Sequence, residues 1–422
     1  MRADMVRVCT VPQPRLCLGL LLQPLLGSLM VGLAWCSDGP PSGPIRVGVL
    51  APLVGPFATA GQEIVEGARL YREERQGQIA GRKIELLVED TAGRPDVGLT
   101  KAQKLVERDG AHVLVGVVSS AVAYALRDYV TERKVPLLIS GFAVAERLTM
   151  DEGSPYVFRV TTGATQPSSA LARWVHERLG ARRAVIVADD SVGTVEVAMG
   201  FARSFAQKGG QIVQELYAPL GTMDYAPFLA RIRKDADVVA SMVTSPAFAR
   251  QYQEFGLQGT IRLIDIHQGF TQPHLLPAAG RAAVGVATAT SYVHSIDSEE
   301  NRKFVRAYHE RYGRLPGFAA ESTYLALTLL EKVLETGAAE RTPRFLEVLA
   351  KTEVRAPRGL VRFDGFRNPV QNVFIVRIVE KEGRPYPEVV ETVPNVSQFG
   401  PWSPEEYLRL PRLRDLKGTW TR

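Results

Sequence analysis

Apolar residues along this chain switch repeatedly between a strand-like period and a helical one. Arg46-Val47-Gly48-Val49-Leu50 is a short β-branched run. Pro52, Gly55, Pro56 and Gly61 punctuate the segment after it, and Ile64, Ala68 and Tyr71 then recur at helical spacing. Strand, loop and helix in succession make the first half of a βαβ unit, and the loop leaving a parallel strand's carboxyl end is where open α/β sheets bind ligands. The runs IRVGVL, KIELLVED, HVLVGVV and VPLLIS all have the continuous apolar character of a sheet covered on both faces. Between them, PDVGLTKAQKLVERDG places Val97, Ala102, Leu105 and Val106 on one helical side, and SSAVAYALRDYVTERK does the same with Val122, Ala125, Leu126 and Tyr129. This alternation predicts a doubly wound parallel sheet, since right-handed crossovers carry helices to both faces.

YVFRVTTGATQ, residues 156–166, breaks the pattern as an extended run, and the alternation then restarts with the strands RRAVIVADD, QIVQELYAPL, ADVVASMVTS and IRLIDIHQG. GRAAVGVATATSYVH is a second extended run, SEENRKFVRAYHERYG and GFAAESTYLALTLLEKVLETG are helices, and RGLVRFDGFRNPVQ leads into a last strand, NVFIVRIVEKEG. The first extended run looks like a crossing between two α/β lobes; were the later runs crossings as well, the lobes would share a hinge in which few residues need absorb the rotation that closes it. The Pro-rich segment NVSQFGPWSPEEYLRLPRL is expected to pack irregularly along the surface.

A chain of 422 residues holds two or three domains with a large core. The cysteines are Cys9, Cys17 and Cys36, so a body processed near Cys36 has no internal disulfide, thiolate metal site or cysteine nucleophile. Residues 1–36 read as an export leader, with Arg2, Arg7 and Arg15 before an apolar stretch. The length also permits an uncleaved anchor, but Gln23, Pro24, Gly27 and Ser28 interrupt the stretch and the linker 37–44 follows, which favours a removed or lipidated leader. Leu33-Ala34-Trp35-Cys36 is similar to a bacterial lipoprotein box, making Cys36 a candidate lipid attachment, although Trp35 replaces the small residue expected there. Removing residues 1–35 lowers the formal charge from +6 to +4. The basic residues are scattered among acids, which argues against a nucleic-acid partner. There is no GxSxG elbow, HExxH helix or GxxxxGK[ST] loop, and His112, His176, His294 and His309 are isolated. Asp189 and Asp190, adjacent in sequence, point in different directions. No catalytic residue, cofactor or metal is expected.

VGVLAPLVGPFATAGQEIVEGARL, GRKIELLVEDTAGRPDVGLTKAQKLV, VLVGVVSSA, VPLLISGFA and YVFRVTTGATQ occur in the order found in one known family. From Ile45 to Ser397 the chain resembles the type I periplasmic solute-binding proteins that serve branched-chain amino acid ABC transporters. The resemblance implies a first lobe of residues 45–161 with 291–356, a second of 162–290 with 357–395, and a tail of 396–422. It also implies an exported, monomeric, non-enzymatic protein that binds a small molecule between the lobes and delivers it to a membrane permease. The tail is similar to that of a subgroup handling organic acids.

In Gly116-Val117-Val118-Ser119-Ser120, two hydroxyls stand at the start of a helix, whose free N–H groups and partial positive charge suit a carboxylate. By spacing alone, a serine there equally serves as the helix cap. The resemblance assigns Ser120 to the ligand carboxylate. It also sets Val144, in Ser140-Gly141-Phe142-Ala143-Val144, where amino-acid binders carry a threonine, and Gln268 where they carry a glutamate that pairs with the ligand ammonium. Aromatic residues those members carry near Ala60, Val192 and Thr244 are absent, as are both cysteines of a family disulfide, at Gly93 and Ser119. An ammonium buried without acceptor or counter-charge costs a few kcal/mol or more. The expected ligand is therefore a carboxylate with an apolar or aromatic body against Phe142, Ala143, Val144 and Val192, with His267 or Gln268 on a distal hydroxyl or carbonyl. The alternatives within the same fold are a branched-chain amino acid or amide binder and a periplasmic sensor.

Overall fold

The computed structural model describes residues 43–421, so the leader and Cys36 lie outside the described residues. The first lobe opens with β1 (Ile45–Ala51), α1 (Ala58–Glu74), the short β2 (Gln78–Ile79) and β3 (Arg82–Asp90). It continues through α2 (Pro95–Gln103), β4 (Val113–Gly116), α3 (Ser120–Glu132), β5 (Leu137–Ile139) and β6 (Val157–Arg159). These strands form a six-stranded sheet in the order β2-β3-β1-β4-β5-β6, parallel except for the β2–β3 hairpin. Both faces of β1 are covered, which is why its sequence reads as continuously apolar. Val47 and Val49 pack with Ile64 and Tyr71 of α1, while Leu50 joins Leu105, Leu126 and Leu137 on the other face.

After β6 the chain crosses to the second lobe with α4 (Thr165–Arg178), β7 (Arg183–Asp190), α5 (Val192–Gln207), β8 (Gln211–Pro219) and the short α6 (Ala226–Leu229). β9 (Val238–Met242), α7 (Ala247–Glu254), β10 (Arg262–Asp265), the short α8 (Leu276–Ala279) and β11 (Ala287–Thr290) follow. Ala184 and Ile186 face Leu171, Phe201 and Phe205, and Val185 and Val187 face Phe248 and Tyr252, so this sheet too is buried on both sides.

The chain then returns to the first lobe with α9 (Glu299–Tyr312), α10 (Phe318–Glu335) and α11 (Pro343–Lys351). Leu325 and Leu329 of α10 share the core of Val47 and Tyr71. α1 and α10 touch backbone to backbone, because a Cβ on Gly67 would lie 2.2 Å from the Ala320 carbonyl. β12 (Glu353–Ala356), β13 (Gly359–Phe363), β14 (Pro369–Lys381), β15 (Arg384–Val396) and α12 (Pro404–Arg409) complete the chain. The second sheet runs β12-β13-β14-β11-β10-β9-β7-β8 with β15 on β14; its last strands are antiparallel, which extends the parallel core expected from the sequence.

The hinge is cross-linked by Arg358. Its buried guanidinium donates to Glu321 of α10 (Nε to Oε2 2.8 Å), the Val160 carbonyl (3.3 Å) and Gln371 Oε1 (3.1 Å), with Ser291 Oγ at 3.5 Å. One side chain thus ties the first, second and third crossings together.

The tail differs from expectation. Where the sequence predicts irregular packing along the surface, Ser403 and Glu406 form a reciprocal capping box on α12, and Phe399, Tyr407 and Leu413 are buried. Tyr407 Oη donates to Glu146 Oε2 at 2.8 Å and Leu413 N to Glu146 Oε1 at 2.9 Å, while Lys417 Nζ reaches Asp190 Oδ1 at 2.6 Å. Its aromatic anchors, spaced between prolines, follow neither the helical nor the strand period, which hid their burial. Among the described residues, no helix is long and apolar enough to cross a membrane.

Candidate functional site

All the candidate residues follow the carboxyl ends of parallel strands: Ala60 after β1, Ser119 and Ser120 after β4, Phe142 to Val144 after β5, Val192 after β7, Thr244 after β9, and His267 and Gln268 after β10.

The loop after β4 is strained. Gly116 (φ +117°) presses on β1, where a Cβ would come 2.2 Å from the Leu50 carbonyl, and β-branched Val117 is held at φ +72°. That turn aims the start of α3. Ser119 is its N-cap without a side-chain cap bond, and Ser120 is its first residue, 5 % exposed. Ser120 Oγ accepts from Ala145 N at 3.2 Å, which leaves the hydroxyl proton free to donate. The segment carrying Ala143 and Val144 is held from behind by Arg159, fully buried, which donates to the Ala143 carbonyl, to the Ala145 carbonyl (2.5 Å) and to Asn368 Oδ1 (2.8 Å). Burial lowers the Arg159 guanidinium to about 10. Phe142, half-buried, packs on Phe318 with ring centroids 5.1 Å apart.

On the second lobe, the residue that meets Ser120 is Gly193. A Cβ there would stand 3.1 Å from Ser120 Oγ and 3.4 Å from Val144 Cγ2. Val192, its neighbour, is 42 % exposed. Thr244 gives both its amide (2.8 Å) and its hydroxyl (2.7 Å) to Asp189 Oδ2, while Tyr225 Oη donates to Asp189 Oδ1 at 3.0 Å. Burial raises the Asp189 carboxyl above its ordinary range despite these donors.

The loop after β10 is organised by Asp265, which accepts from Phe270 N (3.0 Å) and Thr288 Oγ1 (3.1 Å) and is raised to about 6 by burial. Gln268 is left-handed (φ +55°), its amide donating to Thr288 Oγ1 at 3.0 Å and its Oε1 lying 2.6 Å from Thr290 Oγ1. Gln268 Nε2 is buried with no protein partner, as are His267 Nε2 and Tyr292 Oη. Burial pushes His267 down to about 4, so the ring is neutral near pH 7. Ala60, 8 % exposed, lies on the first turn of α1.

The lobes also touch behind Ser120, where Glu146 N donates to Glu196 Oε2 of α5 at 2.7 Å. Burial, with the Glu146 carboxylate beside it, raises Glu196 to about 7. Gly193, Arg159, Glu196 and Tyr292 escaped the sequence reading; only Gly193, in the first turn of α5 just after the strand RRAVIVADD, carried a local signal.

The family described as periplasmic binding protein matches residues 44–384. A "Leu/Ile/Val-binding protein homolog 6" of Brucella abortus is 28 % identical over 352 residues, covering 81 % of this chain and 89 % of the relative. An ABC transporter substrate-binding protein from Sphaerobacter thermophilus is 34 % identical, covers 84 % of this chain and 99 % of its own, and superposes with a TM-score of 0.79. A solute-binding protein of an ABC transporter from Rhodopseudomonas palustris BisB5, in complex with 3,4-dihydroxybenzoic acid, is 29 % identical with a TM-score of 0.79, covering 84 % and 98 % of the two chains.

Proposed function

The chain belongs to the periplasmic binding protein family, as a solute-binding component of ABC transporters, and from that premise we propose that its own ligand is a non-amino organic acid, aromatic or otherwise apolar. The observation that carries this is a mismatch between the two lobes' polar groups. Ser120 offers a free proton at a helix N-terminus, as a carboxylate requires, its first-lobe neighbour Val144 offers no acceptor, and the second lobe presents a Gln268 whose unpartnered atom is the donor Nε2. A donor suits a phenol or carbonyl oxygen and repels an ammonium. The Rhodopseudomonas palustris relative, which holds 3,4-dihydroxybenzoic acid, supports the same ligand class.

In this reading the carboxylate docks on Ser120 and the first turn of α3, the ring lies against Phe142 and Val144, and closure brings Gly193, His267 and Gln268 over it. The closed form then presents the ligand to its membrane permease. Export, with the leader either removed or lipidated at Cys36, belongs to the same proposal. A second reading, a branched-chain amino acid ligand, is favoured by the name of the Brucella abortus relative.

The test is calorimetry on protein unfolded and refolded to strip bound ligand, titrated with benzoate, 3,4-dihydroxybenzoate, short aliphatic acids and leucine. The acids are expected to bind and leucine not to. A micromolar leucine isotherm would overturn the proposal.

A further inference from the structure

Helix α10 begins at Phe318 behind Gly317, an N-cap residue with no side chain to accept a first-turn amide. A larger residue there would displace the Glu63 carboxylate, since a Cβ on Gly317 would lie 2.3 Å from Glu63 Oε2. The acceptor comes from the other lobe. Gln272, on the loop after β10 and 3 % exposed, receives the Phe318 amide on Oε1 at 3.1 Å. Its Nε2 donates to the Gln268 carbonyl at 3.2 Å, so the same side chain also holds the left-handed residue offered above as a ligand contact. Two residues on, His274 Nδ1 stands 3.5 Å from Glu63 Oε1 of α1, a second reach of this loop into the first lobe.

We propose that Gln272 is the latch of lobe closure, a positioning residue that caps a first-lobe helix from the second lobe and is coupled to the ligand through Gln268. The proposal deepens the ligand reading above and rests on it only for that coupling. An amide at the first helical position has no acceptor within its own helix. The Phe318 amide is therefore satisfied when the lobes are together and loses its partner when they part, while the α10 interior keeps its bonds in both states. Ligand contact at Gln268 steadies the loop that presents Gln272, and the capped helix in turn retains the loop over the ligand.

The experiment compares wild type, Gln272→Leu and Gln272→Glu by residue-resolved amide exchange and small-angle scattering, without ligand and with 3,4-dihydroxybenzoate as probe. Gln272→Leu is expected to speed exchange at Phe318 about tenfold and to lower the closed fraction by a similar factor, leaving amides of Leu325 to Leu330 unchanged. Gln272→Glu, which keeps the acceptor, is expected to restore protection at Phe318. Equal exchange at Phe318 in wild type and Gln272→Leu, or a wild-type Phe318 amide exchanging like a free peptide, overturns the latch. Failure of the probe to bind wild type counts against the ligand reading alone, because the ligand-free comparison still decides the latch.

Discussion

Replacing Ser120 with alanine removes one oxygen that does two jobs, and the two losses are separable. Without ligand, the Ala145 amide, fully buried, loses its acceptor. An unsatisfied buried donor costs about 1–3 kcal/mol, so the variant is expected to unfold at lower urea concentration with an unchanged slope. With ligand, the lost bond is one to a carboxylate, worth about 1.5–3 kcal/mol, which corresponds to roughly 10- to 150-fold weaker binding. The ligand term should shrink to about 0.5–1.5 kcal/mol for a neutral acceptor such as benzamide, whereas the Ala145 loss precedes binding and is common to every titration. The assay is paired: urea melts of the free protein, then calorimetry with benzoate on wild type and variant. A destabilised variant whose benzoate affinity stays within twofold of wild type would refute the argument, reducing Ser120 to a structural acceptor for the segment before Glu146.

Gly193→Val should weaken ligand affinity more than tenfold with little change in ligand-free stability, since its side chain would enter the space between Ser120 and Val144 only when the lobes meet; calorimetry and a thermal melt check both halves. Glu196→Gln bears on pH. The wild-type carboxyl, raised to about 7, holds its proton in the folded protein where the unfolded chain has released it, so its contribution falls as pH rises from about 4.5 to about 7 and is flat above. Wild type minus variant urea midpoints should therefore drop between pH 5 and pH 8, and a constant difference would contradict the assignment. Arg358→Met should cost about 3–5 kcal/mol because it strands the buried Glu321 carboxylate, and adding Glu321→Gln should recover part of that loss; a urea double-mutant cycle measures it.

How much the sequence determined by itself follows from the range of its signals. Continuous apolar strands and amphipathic helices repeat over a few residues, so the parallel strands of both lobes and the extended runs between them were legible from local period, while the return to the first lobe and the choice of candidate residues at the strand ends came with the family resemblance. The strained turn at Gly116 and Val117 before Ser120 showed as a glycine and paired serines at a helix start. Other features depend on which distant surfaces meet. Gly193 matters because α5 sets it against Ser120, Thr244 is tied to Asp189 because the fold buries that carboxyl within its reach, and the tail is anchored because Tyr407 finds Glu146. The cap of α10 is the plainest instance: Gly317 announces that the helix needs an acceptor, but nothing near it in the chain says that Gln272 will supply one. Periodicity fixes which face of each element is apolar, whereas a single hydrogen bond between two lobes depends on ångström-scale placement that only the packed structure decides.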